Sequence, residues 1–230
     1  MRYNWAIEWQ PIINTSGSYM ARIKNKFLHD IKPFVDKNYG SYRYTLIMHY
    51  AYRRFSNLVA DNNGEPRALS KHTKTRIYPA IAIMDSLLKN GIPREEALDF
   101  VENYYMWRCE VAANKIRIFL KIPFMYRLVP RLFKGFVRKS FGEKAGFKCS
   151  YNCTKRKRIQ FDVLFCPYYD ICAEYGYPDL TRIFCMADDI CYGNMHPKLQ
   201  WNRCQTIADG GDLCDFDIKI CNWNYRSLAI

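Results

Sequence analysis

The stretch RCQTIADGGDLCDF, residues 203–216, places a thiol and a carboxylate, Cys214 and Asp215, directly behind the paired glycines Gly210 and Gly211. Glycine supplies the positive φ angles that tight turns need. Asp-Gly-Gly between KLQWNRCQTIA and CDFDIKICNW therefore predicts a hairpin of two strands. A cysteine at the exit of such a turn sits where backbone N–H groups can lower a thiol pKa or hold an oxyanion. Arg203, expected on the facing strand, offers a planar fork for a carboxylate. The residues alone leave two readings open: a thiol and carboxylate aimed at a ligand, or a buried cysteine beside solvated aspartates.

Nine of the ten cysteines follow residue 148. Thiolates suggest zinc, but structural zinc sites usually carry Cys-x-x-Cys knuckles. Here Cys149 and Cys153 are separated by three residues, and Cys166–Cys172 and Cys185–Cys191 by five. No cofactor is therefore expected, with a zinc-stabilised domain kept as an alternative. Cys166, Cys185 and Cys214 stand apart because each has polar company: Tyr168, then Asp188 and Asp189, then Asp215. A cysteine nucleophile normally needs a neighbouring histidine. Only His29, His49, His72 and His196 exist, of which His196 and His49 are the candidate partners, so water activated by an aspartate stays open as well.

The elements that must position these groups change character along the chain. Helical spacing runs from a Ser18 N-cap through Met20, Ile23, Phe27, Leu28 and Ile31, with Pro33 expected to end or kink that helix. A second helix covers SYRYTLIMHYAYRRFSNLVA. After a polar connector, IYPAIAIMDSLLKNG forms another, closed by Asn90-Gly91. Pro93 with Glu95 and Glu96 starts the next. Near Gly146 the period becomes two, with Ile159, Phe161, Val163 and Phe165 on one face. The expected fold is α+β in one domain over 1–230: a mostly helical part, 1–145, packed on a small antiparallel sheet in 146–230.

The net charge of +13 is concentrated: residues 115–158 hold 14 Lys or Arg and one acid, Glu143. Within 116–140, apolar residues at 125, 128, 129, 132, 133, 136 and 137 oppose Arg127, Arg131, Lys134 and Arg138, with Pro123 and Pro130 splitting the segment. Such a cationic amphipathic helix suits packing on the core, an anionic membrane surface or an acidic ligand. No nucleic-acid motif accompanies it, so nucleic acid is not an expected partner. No apolar run is long enough for a membrane span, and Glu8, Gln10 and Pro11 interrupt any leader-like core. The expected location is the cytoplasm, with peripheral attachment through 116–140 as the alternative.

The last third of the chain resembles the L-2-amino-thiazoline-4-carboxylic acid hydrolase family. The resemblance is carried by Cys166 with Tyr168, Gly176 to Leu180, Cys185 with Asp188, Arg203 with Thr206, then Gly210, Gly211, Cys214, Asp215 and Phe216. It departs at Cys204, where a threonine is expected, and in its basic middle segment. The resemblance implies hydrolytic C–N or C–S opening of a small cyclic amidine that carries a carboxylate. Cys214 would serve as nucleophile or anchor, and Asp188 or Asp215 as acid or base. Arg203 would hold the substrate carboxylate, while Cys166, Cys185, Thr206, Gly210 and Gly211 would line the pocket. The competing expectation is a catalytically silent ligand-binding module on the same scaffold.

Overall fold

A run with no polar face, YPAIAIMDSLL, becomes the centre of the helical part. The computed structural model describes residues 25–221. Helix α1 (Lys26–Asp30) is capped by the Asn25 side chain, which accepts from the Leu28 N–H at 3.0 Å. Helices α2 (Lys32–Asp61), α3 (Arg67–His72), α4 (Tyr78–Lys89) and α5 (Arg94–Leu120) follow. Tyr78, Ile81, Ile83, Met84 and Leu87 of α4 are fully enclosed, the pattern of a helix buried on every side. The expected Ser18 cap and the Met20 and Ile23 positions lie outside the described residues. Pro33 follows the end of α1 at Asp30, as expected, and kinks no helix. It sits in the first turn of α2, where its missing N–H costs nothing, and the break within α2 falls instead at Gly40, with φ of 75°.

Two expectations are corrected. The polar connector before α4 is helical: α3 runs through a π-helical turn, Thr73–Ile77, straight into α4. The tight hairpin at Gly210-Gly211 is absent as well. Strands β3 (Leu199–Asn202) and β4 (Cys214–Ile220) do pair antiparallel, but the eleven residues 203–213 join them through a 3-10 turn at Ile207–Asp209. Gly210, with φ of 88°, closes that turn. A Cβ on Gly211 would lie 2.7 Å from Gln205 Oε1 and 3.0 Å from the Thr206 carbonyl oxygen. The glycines serve a compact loop rather than a β-turn.

Beyond α5, Pro123 lies in a turn before a 3-10 segment (Met125–Leu128), and Pro130 occupies the first turn of α6 (Val129–Ser140). The hairpin β1 (Lys148–Lys155) and β2 (Arg158–Phe165) leads into α7 (Pro167–Glu174) and α8 (Asp179–Tyr192). The four strands form one antiparallel sheet in the order β1-β2-β4-β3. Its inner face is built from matched pairs, Ile159 with Ile218, Phe161 with Phe216 and Val163 with Cys214, as period two requires. The fold is α+β, with the helices packed on the sheet's inner face. No helix among the described residues is long and apolar enough to cross a membrane.

Candidate active site

Between the inner face of the sheet and helices α5, α6 and α8 lies a cavity of about 360 Å³. That is within the range of small-molecule sites. Its walls divide by chemistry. Phe133, Phe136, Phe141, Phe147, Phe161, Trp201 and Phe216 form an aromatic side, while Arg76, Tyr105, Tyr168, Asp188, Cys166, Cys185 and Cys214 supply the polar groups. Four of the expected site residues, Cys166, Cys185, Asp188 and Cys214, thus line one cavity although they come from the N-cap of α7, from α8 and from β4.

Asp188, on α8, keeps 31% of its side chain accessible. It lines the cavity, where apolar neighbours hydrate a carboxylate poorly. Its pKa is accordingly raised to about 6 by desolvation, with Arg203 and Arg76 opposing the shift. Arg203 approaches from just beyond β3, its Nη1 3.6 Å from Asp188 Oδ2. Nη2 donates to the Cys185 carbonyl at 3.0 Å and pairs with Asp189, the guanidinium lies over the Phe216 ring at 5.6 Å, and Nη1, although buried, makes the ion pair to Asp188 but no hydrogen bond. The side chain is 6% exposed and does not reach the cavity wall. Arg203 therefore positions Asp188; it is not placed to hold a ligand carboxylate.

The group so placed is Arg76, which lies in what the sequence suggests is a connector. It comes off the π turn, lines the cavity and remains reachable by water there. Its side-chain partner among the described residues is the Tyr168 hydroxyl, at 3.1 Å from Nη1. Tyr168 in turn bonds His72 Nδ1 at 2.9 Å, and His72 Nε2 lies 2.7 Å from the Ser140 carbonyl. A carbonyl only accepts, so Nε2 carries the proton and Nδ1 receives the tyrosine's. Burial holds His72 below its ordinary pKa, in keeping with this neutral tautomer. The chain from Arg76 through Tyr168 and His72 to Ser140 fixes the guanidinium while leaving N–H groups unpaired. Widened π turns recur at functional sites, but sequence spacing alone does not reveal one.

Three of the cavity thiols are held in the neutral form. Burial pushes Cys166 up to about 12, although the N–H groups of Tyr169 and Tyr168 at the start of α7 oppose it. Burial also raises Cys214 and Cys185. Cys214 Sγ accepts the Ile207 N–H at 3.3 Å, which ties β4 to the 203–213 loop. All ten cysteines are free. Among the described residues, no three His, Cys, Asp or Glu groups converge closely enough to share a metal ion.

The remaining expected residues build the loop instead of the cavity. Asp215 lies one residue from Cys214 and so on the opposite side of β4, where its Oδ1 accepts the Cys204 and Gln205 N–H groups at 2.9 and 2.8 Å. Thr206 caps the 3-10 turn, accepting from the Asp209 N–H at 3.1 Å and donating to Asp209 Oδ2 at 2.6 Å. Thr206, Gly210, Gly211 and Asp215 are absent from the cavity wall. His196 stacks on Tyr126 at 4.6 Å and His49 is exposed on α2, so neither stands beside a cavity thiol.

The sequence model of the family described as L-2-amino-thiazoline-4-carboxylic acid hydrolase matches residues 70–218. That span takes in the π turn, every cavity strand and the 203–213 loop. No curated protein and no solved structure matches the chain.

Proposed function

The chain belongs to the L-2-amino-thiazoline-4-carboxylic acid hydrolase family, and from that premise we propose that its cavity hydrolyses a small cyclic amidine carrying a carboxylate. Family membership supports a hydrolase-type function. One observation carries it: a cation with free N–H groups, Arg76, and a carboxyl tuned to about 6, Asp188, line the same cavity.

Arg76 binds the substrate carboxylate with its planar fork. Asp188, largely ionised at neutral pH, takes a proton from water as the water oxygen bonds to the amidine carbon. The same proton passes from Asp188 to the ring nitrogen or sulfur as the bond from that atom to carbon breaks. Water's O–H is thereby divided between the carbon and the leaving atom, and the carboxylate is regenerated. A group with pKa near the working pH is suited to both halves of this exchange. Cys166, Cys185 and Cys214, as neutral thiols, shape the wall and offer weak hydrogen bonds. Arg203 is a positioning residue for Asp188, and Tyr168 with His72 for Arg76.

The test is turnover of 2-aminothiazoline-4-carboxylate by wild type, Asp188→Asn and Cys214→Ala, each checked for fold by circular dichroism. Loss of turnover in Asp188→Asn with activity kept in Cys214→Ala supports the mechanism. The reverse pattern makes the thiol the nucleophile and overturns it. Binding without turnover in wild type would leave a silent ligand-binding module.

A further inference from the structure

The apolar face of α6 is wider than the core that covers it. Val129, Phe133 and Val137, spaced four apart, turn toward the core; Val129 and Val137 are buried, and Phe133 meets Phe161 and Tyr192. The neighbouring stripe, also spaced four apart, stays in water: Leu128, Leu132 and Phe136 are 44%, 55% and 41% exposed. The exposed apolar surface continues past the turn onto the end of α5 through Phe124, Ile122, Phe119 and Ile118 at 66%, 51%, 48% and 65%. Phe119, Leu132 and Phe136 share one surface groove. Half of the fourteen exposed large hydrophobic residues among the described residues thus fall within 118–136. Scattered exposed leucines need no explanation, but a continuous patch marks a contact surface.

Charge decides what it contacts. Lys115, Lys121, Arg127, Arg131, Lys134, Arg138 and Lys139 flank these apolar residues, with Arg117 beside them paired to Glu110, and no acidic residue occurs between Lys115 and Ser140. A second copy of the chain would bring the same cations against this face, which opposes self-association. An anionic lipid surface answers both features, accepting the apolar stripe between headgroups while phosphates meet the cations.

We propose that the tip formed by the end of α5, the 3-10 segment and α6 is a docking surface for anionic membrane. Docking lays α6 flat against the headgroups, and Phe133, Phe136 and Tyr192, which line both the outer groove and the inner cavity, form the wall between lipid and site. The inference stands apart from the proposed chemistry, because it rests on the outer stripe and not on Asp188 or Arg76.

The full chain is sedimented with vesicles of phosphatidylglycerol in phosphatidylcholine and with phosphatidylcholine alone. Binding is expected to the anionic vesicles and to fall with salt. Leu132→Glu should weaken it about tenfold or more, the partition lost when one leucine leaves hydrocarbon. Arg131→Gln should weaken it about fivefold. Leu132 is exposed, so its variant should melt like wild type. Three results overturn the proposal. One is no binding by wild type, as when a second copy or the chain's own ends cover the face. Another is binding that Leu132→Glu leaves unchanged, which makes the segment a polyanion site. The third is loss of binding together with dissociation of a dimer in Leu132→Glu, which makes the face a protein interface.

Discussion

Two guanidinium groups oppose the desolvation of Asp188 from different elements, and they differ in whether they open onto the cavity. Arg203 is wrapped by Asp188, Asp189, the Cys185 carbonyl and the Phe216 ring. Arg76 is held by one phenol and otherwise faces the cavity. The same side chain thus does two jobs: buried behind the wall, it is scaffold; reachable by water from the cavity, it is a binding group. Burial and reach into the cavity separate the two where residue type does not.

The sharpest test bears on what both arginines act upon. Asp188→Asn should lower kcat by about a hundredfold or more, the usual scale for removing a general base. In wild type, kcat/KM should rise with pH up to about 6 and then level, following ionisation of Asp188. A profile that stays flat between pH 5 and 7 would remove Asp188 as the base. The folded protein holds this proton more tightly than the unfolded chain, where the carboxyl titrates near 3.8. Folding therefore takes up a proton between those two values. The stability of wild type relative to Asp188→Asn should fall as pH rises through that window, as urea titrations can follow.

Next in size is the contrast between the arginines themselves. Arg76→Gln should raise KM about tenfold or more, through loss of a charge-assisted contact, and leave the melting temperature near wild type. Arg203→Gln should do the opposite first, destabilising by about 2 kcal/mol. This is less than for a fully buried pair, because Asp189 is 51% exposed. Equal effects of the two substitutions on KM and on melting would break the comparison. A smaller effect sharpens it: Tyr168→Phe, which frees Arg76 from its relay, should raise KM severalfold with kcat nearly constant. The smallest is Cys214→Ala, with kcat within about threefold of wild type and about 1 kcal/mol of lost stability from the vacated volume.

The strands and most helices were legible because their signals are local. Period two at Ile159, Phe161 and Val163, and again at Cys214, Phe216 and Ile218, follows from alternation across a pleated strand. Pro93 with Glu95 and Glu96 marks a helix start in the same local way. Within the site, ordered residues pointed to Cys166, Cys185, Asp188 and Cys214, which do share a cavity. The loop is not legible in the sequence, because Asp-Gly-Gly announces positive φ and close approach without saying whether a β-turn or a closed 3-10 turn uses them. Asp215 drew attention by adjacency to Cys214, yet adjacent residues on a strand face opposite ways. Arg76 was missed for the converse reason. It sits in a polar run that resembles a connector, and only tertiary packing brings it to a carboxylate 112 positions away along the chain.

The π turn at Thr73–Ile77 makes chain length itself a determinant of the site. An α-helix advances about 100° per residue, so removing one residue here would restore ordinary helix and rotate everything before the turn by that angle relative to α4. His72 would leave Tyr168, and Arg76 would lose its seat, with every side chain in the relay still encoded. Between residues 72 and 78 the molecule can accept a change of residue more readily than a change of count.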